Sequence, residues 1–241
     1  MSERYYWPCN EPHDSECQAA ELSGDEAHHL TRVMRRKCGD IVTLFDGNGH
    51  EFRAEITSMR KDCVALRTLE TRIVDAEPQR QVTIAVSLPK GDRQKWLVEK
   101  LTELGCRCLI PLQTERGVAQ CTNQVLERLR RQVIEAAKQC HRTRFMQILP
   151  EQTIASSVNQ MTGWIAHPGS GGAFGQCGLA HLMQTPLPTN VLALIGPEGG
   201  FTRQEVEQAV THGLQPLDLG PRILRVETAA ITLAAILTID R

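Results

Sequence analysis

The chain has 241 residues, 41% of them hydrophobic, enough to bury a core in one large domain or two modest ones, which excludes a disordered polypeptide. Its 27 lysines and arginines nearly balance 28 aspartates and glutamates, which excludes a strong overall field, so a polyanion partner must meet a local basic patch. Nine cysteines, an odd number with no Cys-x-x-Cys pair, fit structural thiols in a reduced compartment better than a disulfide scaffold or zinc ribbon.

In chain order, "MSERYYWPCN" lacks an apolar signal core, and no stretch approaches the ~20 apolar residues that cross a bilayer. A cytoplasmic protein without a membrane partner is expected. "DEAHHLTRVMRRKCGD" carries Leu30, Val33 and Met34 at helical spacing, and Gly39 is its expected stop. His28 and His29 are adjacent and diverge around a helix, so no metal is expected there. "DIVTLFDGNGHEFRAEITSMRKDCVALRTLE" reads as short strands, with Asp46-Gly47-Asn48-Gly49 supplying a hairpin's left-handed residues. Residues 1–72 therefore read as a small β-barrel domain, and the polar segment 71–80 as a linker.

From residue 78 to 241 strands alternate with helices. "VTIAVSL" is a strand-length apolar run, followed by a helix with Asp92 as its N-cap and Gly105 as its stop. "CRCLIPL" reads as strand, Asn123 to Gln139 as helix, and "GWIAHP" and "VLALIG" as shorter strand units. A helix from Thr202 opens with the capping box Thr202-x-x-Glu205, a strand follows at "PLDLG", and "ETAAITLAAILTID" closes the chain as a helix. This alternation predicts an α/β domain with a parallel sheet covered by helices on both faces.

Ligands of open α/β sheets sit beyond the carboxyl ends of the strands. Three loops leave strands at that edge: His167-Pro168-Gly169, Gly196 to Phe201, and Gly220 to Thr228. Glycine there would let the backbone approach a flat ligand closely. No Gly-x-x-x-x-Gly-Lys-Ser/Thr or Gly-x-Gly-x-x-Gly phosphate motif follows the first strand, which instead ends in "LPKGDRQ". The residues alone thus point to a nucleoside-like pocket.

"LIGPEGGF", followed about twenty residues later by "LGPRILRVETAA", closely resembles the paired signature of the RsmE family, the uridine-N3 methyltransferases of 16S ribosomal RNA. "HHLTRVMRRKCGDIVTLFDG", "EKLTELG", "PLQTERGV", "IEAAKQCHRTRF" and "IAHP" resemble further family segments in the family's order. One departure follows "QCHR": the family usually has a proline a few residues on, where this chain reads "TRFMQILP". The resemblance implies a PUA-like RNA-binding barrel over residues 1–72 and a SPOUT methyltransferase domain over 78–241, threaded into a trefoil knot. It also implies S-adenosyl-L-methionine as cofactor, a homodimer, and 16S ribosomal RNA or the small subunit as partner. A SPOUT ribose 2′-O-methyltransferase and an inactive RNA-binding assembly factor are the alternatives.

Carried over by position, the cofactor would meet His167, Pro168, Leu194, Ile195, Gly196, Pro197, Glu198, Gly199, Gly200, Leu219, Gly220, Ile223, Leu224 and Arg225. Arg222 and Arg225 are the candidate catalytic residues, because guanidinium stabilises a developing anion. Glu198 is expected to fix its turn by a local hydrogen bond. Glu227 could simply favour the positive end of the last helix. RNA phosphates are expected at Arg32, Arg35, Arg36 and Lys37 near the first helix's end, and at Arg128, Arg131, Arg142 and Arg144 along and beyond the Asn123 helix.

Overall fold

The computed structural model describes residues 4–9, 19–158, 162–168, 177–184 and 186–239, in two compact units. One comprises Met1–Glu77 and Ile134–Phe145; the other comprises Pro78–Val133 and Met146–Arg241.

The first unit contains β1 (Arg4–Tyr6), β2 (Ala19–Ser23), α1 (Gly24–His28), β3 (Ile41–Phe45), β4 (His50–Met59) and β5 (Cys63–Ile73). They form a five-stranded sheet in the order β1-β3-β4-β5-β2, in which only the β1–β3 pairing is parallel. Alternation sends Phe52, Ala54 and Ile56 of β4 inward, beside Val64 and Leu66 of β5, while irregularities after Arg53 and Ile56 interrupt the register. The hairpin forms as its sequence predicts: Gly47 and Gly49 have φ of 78° and 107°, and the Asp46 carboxylate accepts the N–H groups of Asn48 and His50.

The first helix departs from its prediction. α1 runs into a π-helical turn, His29–Val33, and the helix ends at Arg35, whose φ is 53°, four residues before Gly39. Leu30 is buried but Val33 is exposed, because the wider turn rotates the apolar stripe out of a 3.6-residue period. Residues 134–145 join this unit through Phe145, whose ring meets Tyr6 and Phe45, and through ion pairs of Lys138 with Glu26 and Arg142 with Glu77.

The second unit contains β6 (Gln81–Val86), α2 (Arg93–Glu103), β7 (Cys108–Pro111), the start of α3 (Asn123–Cys140), β8 (Gln147–Ile148), α4 (Ile154–Val158) and β9 (Thr162–Ala166). It continues with β10 (Cys177–Gly178), α5 (Leu179–Gln184), β11 (Asn190–Ile195), α6 (Arg203–Thr211), β12 (Gln215–Asp218) and α7 (Val226–Thr238). The seven strands pair in parallel in the order β10-β12-β9-β11-β6-β7-β8, as the strand and helix alternation predicts. β6 and β11 are buried over almost their whole length, the signature of strands covered on both faces. Asp92 stands at the N-cap of α2, but its side chain makes no capping bond; Thr202 and Glu205 form the full capping box of α6.

Cys9, Cys38, Cys63, Cys106, Cys108, Cys121 and Cys140 are free thiols, and burial pushes Cys108 up to about 11. No helix among the described residues is long and apolar enough to cross a membrane.

Candidate cofactor site

Because β9, β11 and β12 are parallel neighbours, Ala166, Ile195 and Asp218 bring their carboxyl ends to one edge. A cavity of about 280 Å³ opens there. Ala166, His167 and Pro168 line it from β9, Ile195 to Phe201 from β11, and Asp218, Leu219, Gly220, Arg222, Ile223 and Leu224 from β12. Val226 and Ala229 of α7 close it. The sequence therefore located the loops, although Gly169 lies outside the described residues. Leu194 is a correction: strand alternation turns it into the hydrophobic cluster with Leu192, and it does not line the cavity. Arg225 also falls outside this lining and borders a neighbouring cavity. Phe201 and Val226 line it from within the expected loops, while Ala166, Asp218 and Ala229 line it from outside them; Asp218 lay in the quoted "PLDLG", where its carboxylate accepts the Gly220 N–H at 2.9 Å.

Gly196 and Gly199 also make room for the protein's own side chains. A Cβ on Gly196 would sit 3.0 Å from the Phe201 ring, and one on Gly199 would sit 3.3 Å from Arg116 Cδ. What fills the missing side chains' space is thus the protein itself. Gly200 is needed for its backbone, with φ of 69°. The Arg116 guanidinium donates to the Gly199 carbonyl at 2.8 Å. Next to it, the Glu115 N–H donates to Glu205 Oε1 at 2.8 Å, while Glu205 Oε2 accepts the Thr202 N–H at 2.7 Å. One carboxylate therefore caps α6 and holds the loop after β7.

A flat heteroaromatic ligand fits this cradle. Ile195, Leu219, Leu224, Val226 and Ala229 supply apolar walls, and the glycine loop presents peptide groups rather than side chains. Burial holds the His167 imidazole below its usual 6.5, which favours its neutral form.

Arg93 of α2 is the ionic hub that sequence reasoning missed. It reaches Glu198 at 2.8 Å and Glu227 at 3.5 Å, joining the glycine loop to the start of α7. Glu198 thus has a long-range partner instead of the expected local bond alone. Arg222 and Arg225 are exposed, and neither makes an ion pair among the described residues. Ile223 between them is 94% exposed. Beside the first cavity and sharing Ile223 and Leu224 with it lies an open one of about 650 Å³, bordered by Asp92, Arg93, Trp96, Arg225, Glu227 and Thr228.

The basic residues sort into two groups. Arg32, Arg35, Lys37 and Arg131 are exposed, and Arg36 lies 3.9 Å from Asp40. Arg128 is exposed but donates to Gln94 at 2.6 Å, and half-buried Arg144 covers Gly49. Arg142 is a correction: it is 6% exposed and bidentate to Glu77, so its charge is consumed inside the fold.

A family model described as RNA methyltransferase domain matches residues 76–238, and one described as RNA methyltransferase PUA domain matches residues 22–68. The chain belongs to the RsmE family. Ribosomal RNA small subunit methyltransferase E of Bacillus subtilis is 31% identical over 95% of this chain and 93% of its own. The enzyme of that name from Synechocystis is 35% identical over 86% of this chain and 69% of its own. A methyltransferase of Legionella pneumophila, solved with bound S-adenosylmethionine, matches at a TM-score of 0.86 and 31% identity, covering 98% of this chain and 97% of that one. Ribosomal RNA small subunit methyltransferase E from Neisseria gonorrhoeae, also bound to S-adenosylmethionine, matches at 0.84 and 30% identity over 98% and 96%.

Proposed function

We propose that this protein methylates N3 of one uridine in 16S ribosomal RNA, using S-adenosyl-L-methionine. The cradle at the ends of β9, β11 and β12 carries the proposal, being open on one side to a second cavity of nucleotide size. The cofactor supplies an electrophilic methyl group on a sulfonium sulfur. Around it the chain's own residues bind and orient. The loops at His167, Gly196 to Gly200 and Leu219 to Leu224 enclose the adenosyl part. Arg222 and Arg225 flank the exposed Ile223 at the junction of the cavities, where a guanidinium can stabilise charge spreading onto O2 and O4 as N3 loses its proton. The target base must turn out of any stack to reach the second cavity.

In this reading residues 1–72 form a PUA-like barrel that binds RNA through Arg32, Arg35, Arg36 and Lys37, and residues 78–241 form a SPOUT domain with a trefoil knot. The protein works as a cytoplasmic homodimer. α7 supports the dimer: Ile231, Ala235 and Ile236 are only half-buried, which leaves apolar surface for a further partner. Mass spectrometry of nucleosides from small subunits, incubated with labelled cofactor, tests the function. N3-methyluridine is expected, together with a reverse-transcription stop at one position. A labelled 2′-O-methyl nucleoside without that stop would overturn the reading.

A further inference from the structure

The N3 proton needs an acceptor, and three carboxylates stand around the two cavities, Asp92 and Glu227 at the second and Glu198 at the first. Asp92 is exposed at the start of α2, and Glu198 is held by Arg93 at 2.8 Å. Glu227 differs from both. It is 5% exposed, and its Oε2 is buried without a hydrogen-bond partner among the described residues, the Arg93 guanidinium standing 3.5 Å away. A buried carboxylate oxygen left without a donor is costly, and such cost persists where a function retains it. Its position matters as much as its state. Val226 before it and Ala229 after it line the cofactor cavity, while Glu227 itself borders the open one. The residue therefore stands at the seam where a methyl donor and a turned-out base would meet. His167, the other group suited to take a proton, lines only the cofactor cavity.

We infer that Glu227 is the catalytic base of the methyl transfer, an inference that rests on the N3 reading above. The N3–H bond breaks with its proton passing to a carboxylate oxygen of Glu227. The N3 electron pair forms the bond to the methyl carbon, and the pair of the broken carbon–sulfur bond stays on sulfur. The sulfonium charge and the carboxylate charge vanish together, so no net charge is left in the site, and the Glu227 proton then leaves to water. The Arg93 guanidinium, 3.5 Å away, holds the waiting carboxylate toward the seam, and the exposed Trp96 indole offers the base a surface to stack on.

The test uses the full-length protein and small subunits from a strain lacking this gene. Single-turnover methylation at saturating subunit should fall about 10²- to 10⁴-fold in Glu227→Gln, the range for a lost general base. Calorimetric affinity for S-adenosylhomocysteine should stay within about twofold, since the amide keeps the shape of the acid. Glu227→Ala should regain part of its rate with added formate but not with formamide. A Glu227→Gln enzyme as fast as wild type, or a slow one whose loss matches a loss of S-adenosylhomocysteine binding and whose Ala counterpart ignores formate, overturns the inference. Failure of the underlying reading looks different: wild-type enzyme would then yield a methylated nucleoside other than N3-methyluridine.

Discussion

Glu205→Ala should destabilise the second unit and weaken cofactor binding, because one carboxylate closes two structures at once. Glu205 Oε2 accepts the Thr202 N–H at 2.7 Å, completing the cap of α6, and Oε1 accepts the Glu115 N–H at 2.8 Å. Loss of a helix cap costs about 1 kcal/mol. A hydrogen bond to a charged group reaches roughly 1.5–3 kcal/mol, but Glu115 is exposed and water replaces the lost acceptor, which brings that part to about 1 kcal/mol. The combined loss of about 2 kcal/mol lowers the unfolding temperature by about 4–8 °C for a domain of this size. Phe201 and Gly199 of the cofactor loop are anchored from the same side, by Thr202 and by Arg116. Ordering a loosened loop on binding should therefore weaken S-adenosylmethionine affinity about fivefold, equivalent to roughly 1 kcal/mol. Scanning calorimetry and isothermal titration measure both losses, and Glu205→Gln, which keeps one acceptor oxygen, should fall midway. An alanine variant with wild-type unfolding temperature and affinity would refute the idea that this carboxylate ties the loops together.

Arg142→Ala should cost about 3–5 kcal/mol by stranding Glu77, with no change in the salt slope of RNA binding; chemical denaturation and filter binding against salt check the two halves. Arg131→Ala should do the reverse, leaving stability intact and lowering that slope by about 1. Arg35 sits at φ of 53°, so Arg35→Gly should raise the denaturation midpoint of the first unit while Arg35→Glu weakens RNA binding. For Asp46, burial raises the pKa, but hydrogen bonds from the Asn48 amide and from the His50 ring and amide outweigh it and hold the carboxyl below its ordinary 3.8. A folded pKa below the unfolded one adds stability above the unfolded value and loses it as pH falls through the folded one. Unfolding at a series of pH values should thus show an acid-side decline below about pH 4 that Asp46→Asn lacks.

What could be read from the sequence depended on distance along the chain. The capping box at Thr202, the hairpin at Asp46 to Gly49 and the glycine-marked strand ends involve residues a few positions apart, and local chemistry determines them. The ties that organise the site are not local. Arg116 reaches Gly199 and Arg93 reaches Glu198 across most of the second unit, and nothing in "TERGV" or "GDRQK" marks those arginines apart from solvated ones. Arg142 failed for the same reason, since a basic run looks alike whether its charges face water or a buried acid, and Glu77 lies 65 residues earlier. Leu194 failed for a simpler one: every second side chain of a strand turns away from whatever its neighbours face.

The glycine loop after β11 shows why the residues around a site matter as much as those touching a ligand. Phe201 and the Arg116 stem occupy the space where the side chains of residues 196 and 199 would stand. A loop built that way is tight before anything binds, pressed by a ring on one side and held by a guanidinium on the other. Ordering it on binding then costs little, and more of the contact energy appears as affinity. Glycine at these positions excludes side chains so that other side chains can hold the backbone still. The peptide groups that remain facing the cavity are fixed in direction, which a flexible glycine turn on its own could not achieve.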